Sequence, residues 1–305
     1  MCLEPWGDSV IHLAPEVRDA LDSGRAVVAL ETTLVAHGFP AGEGLDVALA
    51  AERRVRGAGA VPATVGVLDG RVQVGLDPGE LERFSAAGDS ARKAGPRDLA
   101  VCVAAGVLGA TTVGGTLAVC SAADIHFVGT GGIGGVHRGF AERPDVSADL
   151  GELARASVLV VSSGVKSLLD VTATLEALET LGVPVLGWQV QTLPLFYTAE
   201  GGPPAPATVA TASEAAAIAR AHWSLGRAGL VLARPPAETL DVEPLIEAAL
   251  AEARARQVTG QAVTPFVLGE IHRESGGESI RINKRLIADN AALAAEVAVA
   301  YMASS

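Results

Sequence analysis

Short apolar runs alternate with stretches of helical spacing along most of this chain. RAVVAL (25–30) is strand chemistry and stops at Glu31. GLDVALAAERRVRGAG (44–59) has helical spacing and ends in glycine, a common stop signal. ATVGVLDGRVQVGL (63–76) holds two alternating runs around Asp69-Gly70, which predicts a hairpin. The uncharged run Leu99 to Ala123 is long enough to consider a membrane span, but glycines at 106, 109, 114 and 115 interrupt it. It reads as helix, turn, helix inside a core. DIHFVGTGGIGGVHRG (124–139) is a strand followed by a glycine-rich loop. SVLVVSSGVKSLLD (157–170) is a strand turning into a helix, with Leu168, Val171, Leu175 and Leu178 at helical spacing after Lys166.

The pattern continues with a strand at 183–190 and a Gly/Pro-rich loop at 200–207. Thr211 and Glu214 form a capping box that opens a helix to Leu225, closed by Gly226. A strand at 228–233, a helix at 244–257 and a helical tail from Ser279 complete the chain. Strands alternating with helices predict an α/β class: a three-layer α/β/α arrangement about a central mixed sheet, in a single domain over 1–305.

Composition narrows the function. The 305 residues are 49% apolar and 19% charged, with net charge −12. That balance excludes a basic nucleic-acid face and disfavours anionic lipid surfaces. The three cysteines, Cys2, Cys102 and Cys120, are odd in number and have no metal-like spacing, which points to a reducing compartment. Glu4, Pro5 and Asp8 stand where a signal peptide needs a basic start and an apolar core, so the expected location is cytoplasmic.

Several constellations bear chemistry. Gly129, Gly131 and Gly134 fit the dinucleotide fingerprint, but no helix starts after them, so a Rossmann site is rejected. A glycine loop beside His137 and Arg138 suits an anion, or is a tight connection. Asp145-x-Ser147-x-Asp149 starts like an EF-hand, yet position six is Leu150 and position twelve Ala156. It suits either a hard divalent ion with waters or a helix N-cap at Ser147 or Asp149. Glu31 ends a buried strand, where α/β enzymes often place carboxylates. Lys93 alone reads as a surface lysine. Lys166 sits where a helix start would oppose a cation, and burial would favour the neutral, nucleophilic amine.

Together these segments resemble the pseudouridine-5′-phosphate glycosidase family, related to the indigoidine-biosynthesis A-type proteins. The resemblance rests on ALETTLVAHGFP (29–40), VPATVGVLDGRVQVGL (61–76), ARKAGPRDL (91–99), GTGGIGGVHRG (129–139), DVSADLGELAR (145–155) and SSGVKSLLD (162–170). It implies reversible cleavage of the C–C bond between uracil C5 and C1′ of ribose 5-phosphate, a divalent ion such as Mn²⁺, and a homotrimer. It places the covalent lysine on Lys166, the acid/base glutamate on Glu31 and the metal-binding aspartate on Asp145. Substrate contacts fall on Lys93, Val113, Thr130, His137, Ser147, Ala148 and Asp149, and a base-contacting asparagine on Asn283.

The chain departs from the family pattern at TTVGGT (111–116), WQVQTLPLF (188–196), ARPPAE (233–238) and Asp289-Asn290. The drift spares the sugar-phosphate and lysine motifs, which leaves room for a C-ribosylating enzyme with another aromatic acceptor. A lysine-dependent sugar-phosphate aldolase or isomerase would act on ribose 5-phosphate alone. A non-catalytic sugar-phosphate binder would form no covalent adduct.

Overall fold

The computed structural model describes residues 10–40, 42–142, 144–258 and 263–304. Cys2 and the N-terminal residues read for targeting lie outside them. The strands are β1 (Ile11–Leu13), β2 (Val27–Glu31), β3 (Val61–Leu68), β4 (Arg71–Val74), β5 (Arg92–Ala94), β6 (Gly109–Thr111) and β7 (Phe127–Gly129). After them come β8 (Val136–His137), β9 (Leu159–Ser162), β10 (Leu169–Asp170), β11 (Val185–Trp188), β12 (Ala207–Val209) and β13 (Leu230–Ala233). The helices are α1 (Pro15–Asp22), α2 (Thr33–His37), α3 (Glu43–Gly57), α4 (Pro78–Ala87), α5 (Leu99–Ala105) and α6 (Val113–Ala123). They continue as α7 (Ala148–Leu153), α8 (Val171–Thr180), α9 (Ala212–Ser224), α10 (Glu243–Ala255), α11 (Val263–Glu274) and α12 (Glu278–Ala303).

Eleven strands form one mixed sheet in the order β1-β4-β3-β2-β7-β9-β13-β11-β12, with β6 and β5 branching from β3. From β3 through β12 the path is parallel; β4 and β6 run against β3. Every residue of β2, β3, β9 and β13 is buried. A sheet buried on both faces needs helices on both faces, so the α/β expectation holds. The predicted hairpin forms: Asp69 (φ 51°) and Gly70 (φ 75°) both adopt the left-handed conformation that a tight turn of this kind requires.

Three local expectations need correction. The turn between α5 and α6 contains β6, too short to be seen in an uninterrupted apolar run. At Thr211 the hydroxyl caps the Glu214 amide, but the Glu214 carboxylate reaches back to the Ala210 amide rather than to Thr211. Most consequentially, no helix starts at Lys166. The chain leaves β9 through Ser163-Gly164, bridges to Ile133 and Leu195, and only then enters α8, capped by Asp170. Leu168, fully buried, packs in the core ahead of the helix instead of lying on it. Lys166 therefore stands ahead of α8 and not at a helix N-terminus, so no helix dipole opposes its charge there.

α12 lies along β2, β7 and β9 and packs on α3 and α9. Among the described residues it alone is long and apolar enough to cross a membrane, yet 56% of its apolar window is buried within the protein. That is the environment of a core helix. At Gly129 a Cβ would stand 2.8 Å from Ala291 Cα, so the glycine is what lets α12 lie this close to the sheet.

Candidate active site

The carboxyl ends of β2, β7 and β9 deliver Glu31, Thr130 and Ser162-Ser163 to one edge of the sheet, as parallel strands commonly do at ligand sites. Glu31 is held firmly by the two threonines after it. Thr32 Oγ donates to the Val65 carbonyl at 2.8 Å, and Thr33 Oγ to the Thr111 carbonyl at 2.7 Å. The ETT triplet thus ties the end of β2 to β3 and β6.

Beside this edge lies a cleft of about 680 Å³. Lys93, His137, Asp145, Ser147, Ala148, Asp149 and Lys166 all line it, from β5, β8, α7 and the loops before α7 and after β9. Glu31 and Thr130 lie buried nearby, and Glu31 is close enough to feel the charges of Lys166, Lys93 and Asp149. Val113 opens α6 next to Thr112, which does line the cleft. Asn283, on α12, is buried with its Oδ1 unpartnered beside Gly131. The structure therefore brings Lys93, His137, Asp145, Ser147, Ala148, Asp149 and Lys166, which the sequence holds in four separate motifs, onto one cleft, with Glu31 and Thr130 buried close by and Asn283 set apart beside Gly131. Arg97, Glu152 and Arg155 also line it; they lie inside the motifs at 91–99 and 145–155, but neither the motifs nor the resemblance gave them a role.

Electrostatics differ sharply among these groups. Burial raises the pKa of Glu31; Lys166, the Thr130 hydroxyl and Lys93 oppose that without cancelling it. Lys93 is shifted down, first by burial and next by the neighbouring Lys166 charge. His137 is also lowered by burial, against the pull of Asp145. Its Nε2 lies 4.0 Å from Asp145 Oδ2.

Asp149 has a different place from that of a free ligand. Its Oδ1 accepts from the Gly114 amide and its Oδ2 from the Gly134 amide, both at 2.7 Å. It fastens the start of α6 to the glycine loop. Ser147 is the N-cap of α7, so the capping reading of this segment holds for it while its side of the cleft stays available.

The glycine loop is built for close packing. The Thr130, Ile133 and Gly134 amides donate to Val161, Gly164 and Asp149, and the Val136 amide donates to Thr174 Oγ. A Cβ at Gly134 would stand 2.2 Å from Ser147 Oγ, and one at Gly135 2.3 Å from Thr174 Oγ. At the start of α6 the Gly114 and Gly115 amides are taken by Asp149 and Thr112, which leaves Val113 N–H uncommitted among the described residues. Four of the loop's amides between Thr130 and Val136 are thus spent inside the protein.

The departures from the family pattern also have physical places. A Cβ at Gly115 would stand 2.3 Å from the Ala94 carbonyl, so the glycine lets β5, which carries Lys93, lie against α6. Phe196 (φ 66°) packs its ring on Gly132, and its amide donates to Ser163. Arg234 and Asp289 meet each other in an ion pair at 3.4 Å, and Asp289 also pairs with Arg54 at 3.1 Å.

Residues 16–300 match the family model described as Indigoidine synthase A like protein. The chain belongs to this family. It is 49% identical over 298 residues to the pseudouridine-5′-phosphate glycosidase of Herpetosiphon aurantiacus, covering 96% of this chain and 98% of that one. The enzyme of that name from Streptomyces griseus is 49% identical over 296 residues, covering 94% and 91%. Among solved structures, the prealnumycin C-glycosynthase AlnA in complex with ribulose 5-phosphate superposes with TM-score 0.88 at 37% identity, over 97% of this chain and 98% of that one. An indigoidine synthase A-like protein of Thermotoga maritima gives TM-score 0.86 at 34% identity, with 95% of each chain covered.

Proposed function

We propose that this enzyme makes and breaks the C–C bond between C1′ of ribose 5-phosphate and C5 of uracil. The observation that carries this reading is the pairing of Lys93 and Lys166 on one cleft with buried Glu31 beside them. The relatives named pseudouridine-5′-phosphate glycosidase support it. A C-glycoside offers no leaving oxygen for a carboxylic acid to protonate, so the two-carboxylate mechanism of ordinary glycosidases does not apply. An amine supplies another route. In cleavage, Glu31 gives a proton to the ring oxygen as the C1′–O bond opens. The Lys166 amine adds to C1′, losing a proton. The Glu31 carboxylate takes that amine proton; the nitrogen lone pair then forms C1′=N⁺ as the C1′–C5 bond breaks, and Glu31 returns the proton to C5. Water hydrolyses the imine to ribose 5-phosphate and regenerates the amine.

A raised pKa suits Glu31 to donating a proton near neutrality. Lys93, His137 and the Val113 amide would hold the phosphate, so that binding far from C1′ positions it. Asp145 offers a half-exposed carboxylate on the cleft, which fits a hard divalent ion that keeps waters and a substrate phosphate as its other ligands. Among the described residues no group of three acidic, His or Cys side chains forms a fuller site. Bound Mn²⁺ would supply charge neutralisation at the phosphate end. The resemblance further implies a cytoplasmic homotrimer; light scattering tests the trimer directly.

The likeness to a C-glycosynthase favours a second reading: ribose 5-phosphate joined to another aromatic carbon nucleophile. Incubating the protein with pseudouridine 5′-phosphate and Mn²⁺ separates the two. Release of uracil and ribose 5-phosphate, followed by mass spectrometry, is the expected result. Folded protein that releases neither would remove uracil as the base.

Glu31→Gln should abolish that turnover and stabilise the fold. Burial outweighs the favourable charges around Glu31, so its folded pKa lies above the unfolded one. The stability that the neutral acid contributes is complete at low pH and is lost as pH rises through the folded pKa. The variant should therefore gain roughly 1 kcal/mol over the parent at neutral pH and about nothing near pH 4. Urea denaturation at the two pH values reads this out; a gain at pH 4 equal to that at pH 7 would contradict it.

A further inference from the structure

We propose that Thr130 and Asn290 are positioning residues that brace Glu31 so that Oε2 is its proton-transferring oxygen. This rests on the reading of Glu31 as the acid/base group. Thr130 is fully buried, and its hydroxyl donates to Glu31 Oε1. The side chain is thus committed to the carboxylate and is not free for the substrate. Glu31 Oε2 is buried without a partner. One oxygen is anchored and the other is buried with no protein partner, so the anchoring bond selects which oxygen is left for a reacting atom.

Thr130 in turn is held from α12. The Asn290 amide group donates to the Thr130 carbonyl at 2.8 Å and to Ser163 Oγ at 3.1 Å. Asn290 therefore joins the end of β7 to the turn that leads to Lys166, and it is fully buried. The brace runs from α12 through Thr130 to Glu31, and from α12 through Ser163 toward Lys166. It sets the geometry between the acid/base group and the amine.

The charged groups facing Glu31 are Lys166, Lys93 and Asp149. Glu31 itself lines a small cavity, together with apolar side chains of α2, α3 and α12 and with Thr64, whose hydroxyl donates to Glu52. Removing the Thr130 hydroxyl deletes a bond that favours the ionised carboxylate and leaves burial in place. The pH at which Glu31 changes state in the turnover profile should therefore rise.

The test compares Thr130→Val, Thr130→Ser and Asn290→Ser with the parent on pseudouridine 5′-phosphate or, if another acceptor is found, on that reaction. Thr130→Val should lower kcat roughly 10- to 100-fold with KM changed less than about threefold. Its Glu31-dependent limb should move to higher pH, and Thr130→Ser should restore both. Asn290→Ser keeps the Thr130 hydroxyl and should show a smaller fall in kcat; it also serves if Thr130→Val does not fold. A fall seen mainly in KM, or a profile whose limb stays where the parent has it, would overturn the brace and return Thr130 to substrate binding. Glu31→Gln distinguishes the two layers: turnover surviving in that variant would sink the acid/base reading itself, whereas a dead Glu31→Gln with an unmoved Thr130→Val profile would sink only the brace.

Discussion

Lys166→Ala should remove turnover of pseudouridine 5′-phosphate and leave the protein folded. The two effects separate because the hydrogen bonds through which Lys166 holds the structure are made by its backbone. Its amide donates to the Ile133 carbonyl at 3.0 Å, and its carbonyl accepts from the Leu169 amide at 2.9 Å. Alanine keeps both bonds, so stability should change by less than about 1 kcal/mol. The loss in kcat should be roughly 10⁵-fold or more, the scale on which a covalent enzyme suffers when its nucleophile goes. Trapping gives a second, independent reading. Borohydride added to the parent with ribose 5-phosphate should reduce the imine and leave a sugar-phosphate mass on the peptide that contains Lys166. Lys93→Ala should bind substrate more weakly and still be trapped at Lys166. An adduct on Lys93 in the parent would exchange the roles of the two lysines, and no adduct at all would favour a non-covalent binder. Consumption of ribose 5-phosphate with no aromatic partner would point to the aldolase or isomerase reading.

The range of the forces involved decides how much of this protein is legible in its sequence. Strands such as Val27–Glu31 and the Asp69-Gly70 hairpin are set by local pattern and turn chemistry, and they stand where the pattern puts them. Lys166 shows where local reading stops. Its helical spacing with Leu168, Val171 and Leu175 is real, but Ser163 and Gly164 are captured by the glycine loop and the 194–196 segment first. A tertiary contact overrides a local preference there. The glycine loop misleads in the same way. Its composition suits an anion, yet most of its amides are spent on Val161, Gly164, Asp149 and Thr174, and even the shortest of these bonds, Gly134 to Asp149, spans 15 positions. The bond from Thr130 to Glu31 spans 99 positions and that from Asn290 to the Thr130 carbonyl 160, so neither leaves a local mark. The motif resemblance could point at Glu31, Lys93 and Lys166 separately; only the fold shows that they share each other's electrostatic field.

Asp149 tests that long-range logic most directly, because stability and activity should fall together when it is changed. Each of its oxygens is occupied by a backbone amide, and the residue is almost wholly buried. Asp149→Ala leaves the Gly114 and Gly134 amides buried without partners. Each unpaired amide costs about 1–3 kcal/mol, so a loss of roughly 3 kcal/mol is expected in urea denaturation. Asp149→Asn is the sharper variant. Whichever way the new amide turns, its NH₂ faces one of the two N–H donors, so one bond is lost and a donor meets a donor. About 2 kcal/mol should go even though volume and shape are kept. Activity should fall by about 100-fold in either variant, since the start of α6 and the glycine loop, with Thr130 and its hold on Glu31, are no longer fastened together. If Asp149 served mainly as a substrate ligand, Asp149→Asn would lose affinity at unchanged stability, because an asparagine remains a good partner for a sugar hydroxyl. Stability loss in Asp149→Asn, measured without any substrate present, is therefore the result that assigns this carboxylate to the framework.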